Sequence, residues 1–171
     1  MGVIFGPLRR RKQGKGAESP PPPSLGEPKG RLALSNVFQL VTRSRPPMFL
    51  VITGLVVEGE LARGDTLKLP DGRLLRVESV EKARERKRVD RAMAGDTVGV
   101  AVVGVGWKPR KGDLERYSIS KQLEEIRRRA EEKYQSLPKE AASKLAEKEV
   151  VDTLRNSKED IPLIEIYPPT P

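Results

Sequence analysis

Short apolar segments, each ended by polar or turn-forming residues, follow one another through the middle of the chain. Most are rich in Val, Leu and Ile, which favours β-strands. The predicted strands cover residues 37–41, 48–58, 66–69, 74–80 and 97–103. Many short strands at this spacing are typical of a closed barrel or a sandwich. The pattern therefore predicts a mainly β domain over residues 31–117.

Turn-forming residues separate these predicted strands. Asp71-Gly72 stands between two strand segments and predicts a hairpin, because glycine adopts positive φ without steric cost. Further turns are predicted at Arg63-Gly64-Asp65, Ala94-Gly95-Asp96 and Lys111-Gly112-Asp113. In these turns the aspartates can accept hydrogen bonds from nearby backbone N–H groups. We therefore interpret the glycines and aspartates as turn formers and not as site residues.

The pattern changes to helical periodicity after residue 117. Residues 119–130 and 139–154 are rich in Glu, Lys, Arg, Ala and Leu, and contain no glycine. Ile119, Leu123 and Ile126 recur at helical spacing. Pro138 predicts a break between two helices. The final apolar segment, residues 161–167, fits either a strand or a docking peptide. Residues 118–171 are thus predicted to form a helical C-terminal extension with a short apolar end.

The first 30 residues contain a run of four prolines, residues 20–23, among several glycines. Such a composition predicts a disordered, extended basic arm, since little of it can be buried. Two interpretations are open for this arm. It is either a solvated linker or a basic segment that folds onto nucleic acid.

Composition and charge limit the range of possible functions. The chain has 171 residues and a formal charge of +9, which favours polyanionic partners, nucleic acid before an anionic membrane surface. It contains no cysteine and no histidine, which excludes Cys/His zinc sites, thiol nucleophiles and His-dependent triads. We find no convincing acid/base pair or cluster of metal ligands, and predict neither an enzyme nor a cofactor.

The same composition bears on location. No segment approaches the roughly 18 apolar residues that span a bilayer, and the N-terminus does not resemble a secretory signal. We therefore predict a cytoplasmic protein without a membrane partner. Abundant Arg, Lys and Glu with little Gln, Asn or Cys suggest a thermophilic source.

Several blocks, in order, resemble a known family. Residues 51–67, VITGLVVEGELARGDTL, contain in order a strand, Gly54, a second strand, Glu58-Gly59, a hydrophobic residue and Gly64-Asp65. Residues 77–81, VESVE, and residues 92–102, AMAGDTVGVAV, continue the likeness, and Lys111-Gly112-Asp113 matches a closing turn. Over residues 36–117 the chain resembles the second domain of translational GTPases, the elongation factor Tu family. The resemblance implies a small closed β-barrel.

The resemblance does not carry over the family's GTPase activity. A Gly-x-x-x-x-Gly-Lys-Ser/Thr loop is absent from the sequence, so GTP binding is not expected. We predict a standalone barrel without a nucleotide domain. In the family, the second domain contacts RNA of the small ribosomal subunit and helps to hold the acceptor end of aminoacyl-tRNA. The resemblance therefore implies contact with RNA or the ribosome, without saying through which residues.

Residues 82–91 are the most distinctive candidate site. Six of these ten residues are basic, and they lie between two predicted strand blocks, so they should protrude as a loop or a twisted hairpin end. The alternative is an ordinary solvated loop. Against it, like charges this dense repel one another, and a polyanion relieves that repulsion. The predicted RNA-binding residues here are Lys82, Arg84, Arg86, Lys87, Arg88 and Arg91.

Three further basic groups join the candidate site. Arg43 and Arg45, with Lys108 and Arg110, are loop residues that fit one end of the barrel. Trp107 is interpreted as a barrel cap rather than a platform for base stacking. The arm supplies the last group, Arg9, Arg10, Arg11 and Lys12. Residues 127–129 are weaker candidates, because nearby glutamates can pair with these arginines on a helix.

Two functional hypotheses follow. The first is a non-catalytic accessory protein that binds the ribosome or ribosomal RNA, as an extra ribosomal protein, an assembly factor or an inactivation factor. Its partners could extend to tRNA or a translation factor. The alternative is a protein-interaction module that docks on a translation GTPase or another factor through its C-terminal helices, with the basic loop incidental.

Overall fold

Six antiparallel strands close into a ring in the computed structural model, which describes residues 25–41, 48–157 and 161–169. Around the ring the order is β1, β8, β3, β4, β7, β2 and back to β1. The strands are β1 (Gly30–Val41), β2 (Met48–Ala62), β3 (Thr66–Lys68), β4 (Leu74–Lys82), β5 (Lys87–Val89), β6 (Arg91–Met93), β7 (Thr97–Gly104) and β8 (Ile164–Tyr167). The prediction of a closed β-barrel with C-terminal helices is confirmed.

The barrel interior follows from the alternation of side chains along each strand. In β7, Val98, Val100 and Val102 are buried, while the residues between them are half-exposed. Successive side chains of a strand point to opposite faces, so this alternation places the three valines inside the barrel. Leu67 and Leu75 join them in the same cluster. The core is mostly aliphatic, in agreement with the low aromatic content of the chain, 4%.

Two of the predicted Gly-Asp turns share one geometry. Gly64 and Gly95 have φ values of 91° and 97°. The following aspartate then accepts a hydrogen bond from the N–H three residues before it, Asp65 from Ala62 at 2.7 Å and Asp96 from Met93 at 2.8 Å. Positive φ favours glycine, and the short carboxylate satisfies an otherwise unpaired N–H. These glycines and aspartates are turn formers, as predicted.

The ring is closed by the last strand of the chain. Ile166 of β8 lies opposite Gly30 of β1 on one side and opposite Leu67 of β3 on the other. The terminal apolar segment, for which a strand and a docking peptide were both open, is therefore a strand. It belongs to the barrel wall although it comes from the predicted 118–171 extension.

The expectation that Lys111-Gly112-Asp113 forms the closing turn is wrong. These residues begin a short helix, α1 (Lys111–Glu115). Two interactions favour the helical turn. Asp113 accepts a hydrogen bond from the backbone N–H of Arg110 at 2.9 Å, and Leu114 is fully buried in the barrel core. The helix thereby places the side chain of Leu114 in the barrel core.

Both predicted helices are present, and they cover one flank of the barrel. They are α2 (Ser120–Lys133) and α3 (Lys139–Arg155), separated at Pro138 as predicted. Their apolar residues pack with Ala33, Leu55 and Val57, which face outward from β1 and β2. Where the helices pack, these two strands are buried on both faces. Within residues 25–41, 48–157 and 161–169, no helix combines the length and apolarity needed to cross a bilayer.

Candidate nucleic-acid interface

Residues 82–89 form the end of a β-hairpin, one of the two predicted forms, and Arg91 begins the next strand, β6. Strand β4 pairs with β5 through Val80 opposite Val89, and the last pair is Lys82 opposite Lys87. Val89 packs against the barrel core and anchors the base of the hairpin. At the tip, Arg86 has a φ of 50°, the only positive φ of a non-glycine residue in the described part of the chain. We call residues 82–91 the basic hairpin.

Ion pairs divide the six cations of the basic hairpin into two sets. Lys82 lies 3.6 Å from Asp96, and Arg91 lies 3.4 Å from Glu60. Arg84 contacts the carboxylate of Glu147 on α3. Each cation of this first set therefore has a carboxylate beside it. These pairs connect the basic hairpin to the barrel and, through Arg84 in the turn, to α3.

The second set, which we call the tip, consists of Arg86 in the turn and of Lys87 and Arg88 at the beginning of β5. All three side chains are exposed, and none has an ion-pair partner among residues 25–41, 48–157 and 161–169. Three consecutive cations without an ion pair concentrate positive charge at the end of the hairpin. Such a cluster attracts phosphates, because binding them releases condensed counterions. Arginine also forks onto phosphate oxygens.

Lys108 and Arg110 lie at the other end of the barrel. Lys82 of the basic hairpin is opposite Val98, near the beginning of β7, whereas Leu75 is opposite Gly104, at its end. The length of β7 separates these two ends by about 23 Å, at about 3.3 Å per residue. The structure therefore does not bring Lys108 and Arg110 together with the basic hairpin. We call the end with residues 104–110 the barrel mouth.

Trp107 caps the barrel mouth. Its Nε1–H donates to the carbonyl of Leu74 at 2.7 Å, and its half-buried ring packs against the core. The guanidinium of Arg73 lies 4.1 Å from the ring centroid, which covers one face with a cation–π contact. This geometry agrees with the interpretation of Trp107 as a cap. An open groove of about 700 Å³ runs beside it, with Lys108 and Arg110 among its lining residues.

A polar cluster that the sequence did not reveal connects two segments at the barrel mouth. Asp71 pairs with Arg73 at 2.7 Å and accepts a hydrogen bond from the Tyr117 hydroxyl at 2.8 Å. The hydrogen bond from Arg73 lowers the pKa of Asp71 from 3.8 to about 2, with a smaller contribution from Tyr117. Asp71 was singled out only as a turn residue. Its partner Tyr117 is distant in sequence, so no local pattern could reveal the contact.

The remaining candidates fall into two groups. Arg43 and Arg45, and Arg9, Arg10, Arg11 and Lys12 of the arm, lie outside the described residues. Two of the weaker candidates on α2 are neutralised as predicted: Arg128 lies 2.6 Å from both Glu125 and Glu132, and Arg129 lies 3.0 Å from Glu125. Within the described ranges, no group of three or more acidic residues is placed to hold a metal ion.

By its fold and its candidate interface, the protein is a closed, six-stranded antiparallel β-barrel with two helices on one flank and a basic hairpin. That architecture is compatible with the translation-factor type of barrel. No family model matches the chain, and no curated protein matches it. Among solved structures, translation elongation factor SelB from Methanococcus maripaludis, in its apo form, aligns with 27% identity and a TM-score of 0.38. The alignment covers 56% of this chain and 19% of the SelB chain.

Proposed function

We propose that this protein is a non-catalytic accessory protein that binds ribosomal RNA, and through it the ribosome, by the basic hairpin. The observation that carries the proposal is the tip itself. Arg86, Lys87 and Arg88 are exposed and consecutive, and none of them makes an ion pair with a described residue. Like charges this dense repel one another, and phosphates relieve that repulsion when they bind.

The paired cations of the basic hairpin support an interface that is partly ordered before a partner binds. Arg84 is tied to Glu147 on α3, and Lys82 and Arg91 are tied to carboxylates of the barrel. These contacts restrict the hairpin before a partner arrives. A pre-ordered tip loses less conformational freedom on binding phosphates than a free loop would. The blocks at residues 51–67 and 92–102 favour RNA of the translation apparatus as the polyanion, through their resemblance to translation-factor barrels.

The alternative is that the protein docks on a GTPase or another factor through its C-terminal helices. No specific observation among the described residues favours it. The apolar residues of α2 and α3 pack against the barrel, among them Leu123, Val150 and Leu154. The terminal apolar segment is likewise used, because β8 completes the ring. The two apolar surfaces that this alternative requires are thus occupied by the protein itself.

Sedimentation of the purified protein with ribosomal particles tests the proposal. We expect the protein to travel with ribosomal fractions at low salt and to dissociate steeply as salt is raised, since phosphate contacts exchange with counterions. The variant Arg86→Gln/Lys87→Gln/Arg88→Gln should stay at the top of the gradient. A matched control, Arg128→Gln/Arg129→Gln/Lys133→Gln, removes the same charge from cations already paired with glutamates and should travel like the natural protein. A salt-insensitive association, unaffected by the tip variant, would contradict the proposal.

A further inference from the structure

Positive charge is concentrated at both ends of the barrel. At one end stand Arg86, Lys87 and Arg88 of the basic hairpin. At the barrel mouth, Lys108 and Arg110 are exposed beside the groove, and no ion pair engages either of them among the residues that the structure describes. Both segments are net basic: residues 82–91 contain six basic and two acidic residues, and residues 104–116 contain four basic and two acidic.

The flank between these ends does not carry the same charge. On the outer face of β4, Arg76 is paired with Glu78 at 2.7 Å, and the carboxylate of Glu81 is exposed. The outer face of the neighbouring β7 presents small, uncharged residues, including Gly99 and Ala101. A phosphate backbone lying along this flank would therefore meet neutral or acidic surface between the two basic ends.

The flank formed by β1 and β2 is closed to RNA in another way. Helices α2 and α3 pack on the outward residues Ala33, Leu55 and Val57. Along α2 the arginines at 128 and 129 are already paired with glutamates. No continuous basic path thus connects the basic hairpin with the barrel mouth across either of these flanks.

From this arrangement we infer that the protein bridges two separate RNA segments, one bound at the basic hairpin and the other at the barrel mouth. This inference rests on the proposed function and extends it, because the proposed function needs only the hairpin. The two ends lie about 23 Å apart, as estimated from the length of β7. Two RNA segments bound at that separation lie close to each other, although each contacts a different surface of the protein.

The two ends differ in the chemistry that they present. The hairpin tip presents mainly cations and no groove, which suits phosphate contacts. The barrel mouth combines Lys108 and Arg110 with a groove along Trp107. Trp107 is also the only tryptophan of the chain, so its fluorescence reports on this end separately.

A test uses two short RNA stem-loops, one labelled with a donor and the other with an acceptor fluorophore, and native mass spectrometry of the same mixtures. We expect energy transfer between the stem-loops when protein is added, a decrease at excess protein, and a species of one protein with two RNAs. Trp107 emission should change on binding. The tip variant (R86Q/K87Q/R88Q) and a mouth variant (K108Q/R110Q) should each reduce the complex to one RNA per protein.

The outcomes separate this inference from the proposed function. If the natural protein binds only one RNA, and the mouth variant binds it with unchanged affinity, bridging is wrong while RNA binding by the hairpin stands. If no RNA binds even at low salt, the proposed function and bridging both fail. Energy transfer carried only by species with two proteins and two RNAs would also contradict bridging, because it would reflect protein association. The variant R128Q/R129Q, with the same charge change as the mouth variant, should bridge like the natural protein.

Discussion

Leu67 of β3 and Ile166 of β8 lie directly opposite each other in an antiparallel register, although they come from distant parts of the sequence. Ile166 is also the partner of Gly30 on β1. One residue of the terminal strand thus stands between the first and third strands of the barrel. The barrel wall is complete only when the end of the chain is in place.

Ile166→Ala should therefore destabilise the whole barrel. The side chain is fully buried in the main core cluster, so its truncation removes apolar contacts and leaves a cavity. We expect a loss of about 2–5 kcal/mol in the free energy of unfolding. Urea denaturation followed by circular dichroism measures it.

Deletion provides the control for this prediction. Removing residues 158–171 takes away β8 entirely and should abolish the cooperative unfolding transition. Removing residues 168–171 leaves β8 intact and should preserve the transition. A chain without β8 that unfolds like the natural protein would show that the terminal strand does not close the barrel.

Gly54 and Gly99 form a matched pair on the neighbouring strands β2 and β7. A Cβ at Gly54 would overlap the carbonyl oxygen of Ala33, whereas a Cβ at Gly99 would meet nothing within 4 Å. We expect Gly54→Ala to lower the free energy of unfolding by about 1–3 kcal/mol, because the backbone must shift. Gly99→Ala should be neutral or slightly stabilising, since alanine has less freedom in the unfolded chain. Equal effects in thermal unfolding would contradict the close approach of β1 and β2.

Asp71 predicts a pH dependence at the barrel mouth. Its pKa in the folded protein is lowered from 3.8 to about 2, mainly by the hydrogen bond from Arg73. A lowered carboxyl pKa means that the ionised form stabilises the fold above about pH 4, and that this stabilisation is lost as the pH falls through 2. We expect less than about 1 kcal/mol, because both partners are partly exposed and solvent screens the pair.

The comparison of Asp71→Asn with the natural protein isolates this contribution. The difference between their free energies of unfolding should be constant above pH 4 and should shrink between pH 4 and pH 2. A direct NMR titration of the Asp71 carboxyl provides the second measurement. A midpoint near 3.8 would show that the contacts with Arg73 and Tyr117 do not persist in solution.

Local patterns in the sequence predicted most of the strands, three of the four turns and both long helices. Asp71-Gly72 illustrates why. Gly72 has a φ of 95°, and its N–H donates to the carbonyl of Leu69 at 2.8 Å. Such a turn depends on residues that are adjacent in sequence, so their identities suffice. The break at Pro138 depends in the same way on one residue.

The same local patterns could not predict which strands pair with each other over long distances in the sequence. Residues 161–167 fitted a strand, but nothing near them indicated that β1 and β3 would be their neighbours. Likewise, Lys111-Gly112-Asp113 matched the family's closing turn. The structure instead has a helix here, which buries Leu114 in the core. The separation of Lys108 from the basic hairpin depends on the register of β4 and β7, which only the fold determines.

The salt dependence of RNA binding tests the central claim most directly. The affinity of the natural protein and of the Arg86→Gln/Lys87→Gln/Arg88→Gln variant for ribosomal RNA should be measured by fluorescence anisotropy over a range of salt concentrations. Each phosphate contact contributes about 0.9 to the slope of log K against log salt on a duplex, so the variant should lose about 2 to 3 of that slope. Equal slopes for the two proteins, or no binding by either in dilute buffer, would contradict the account.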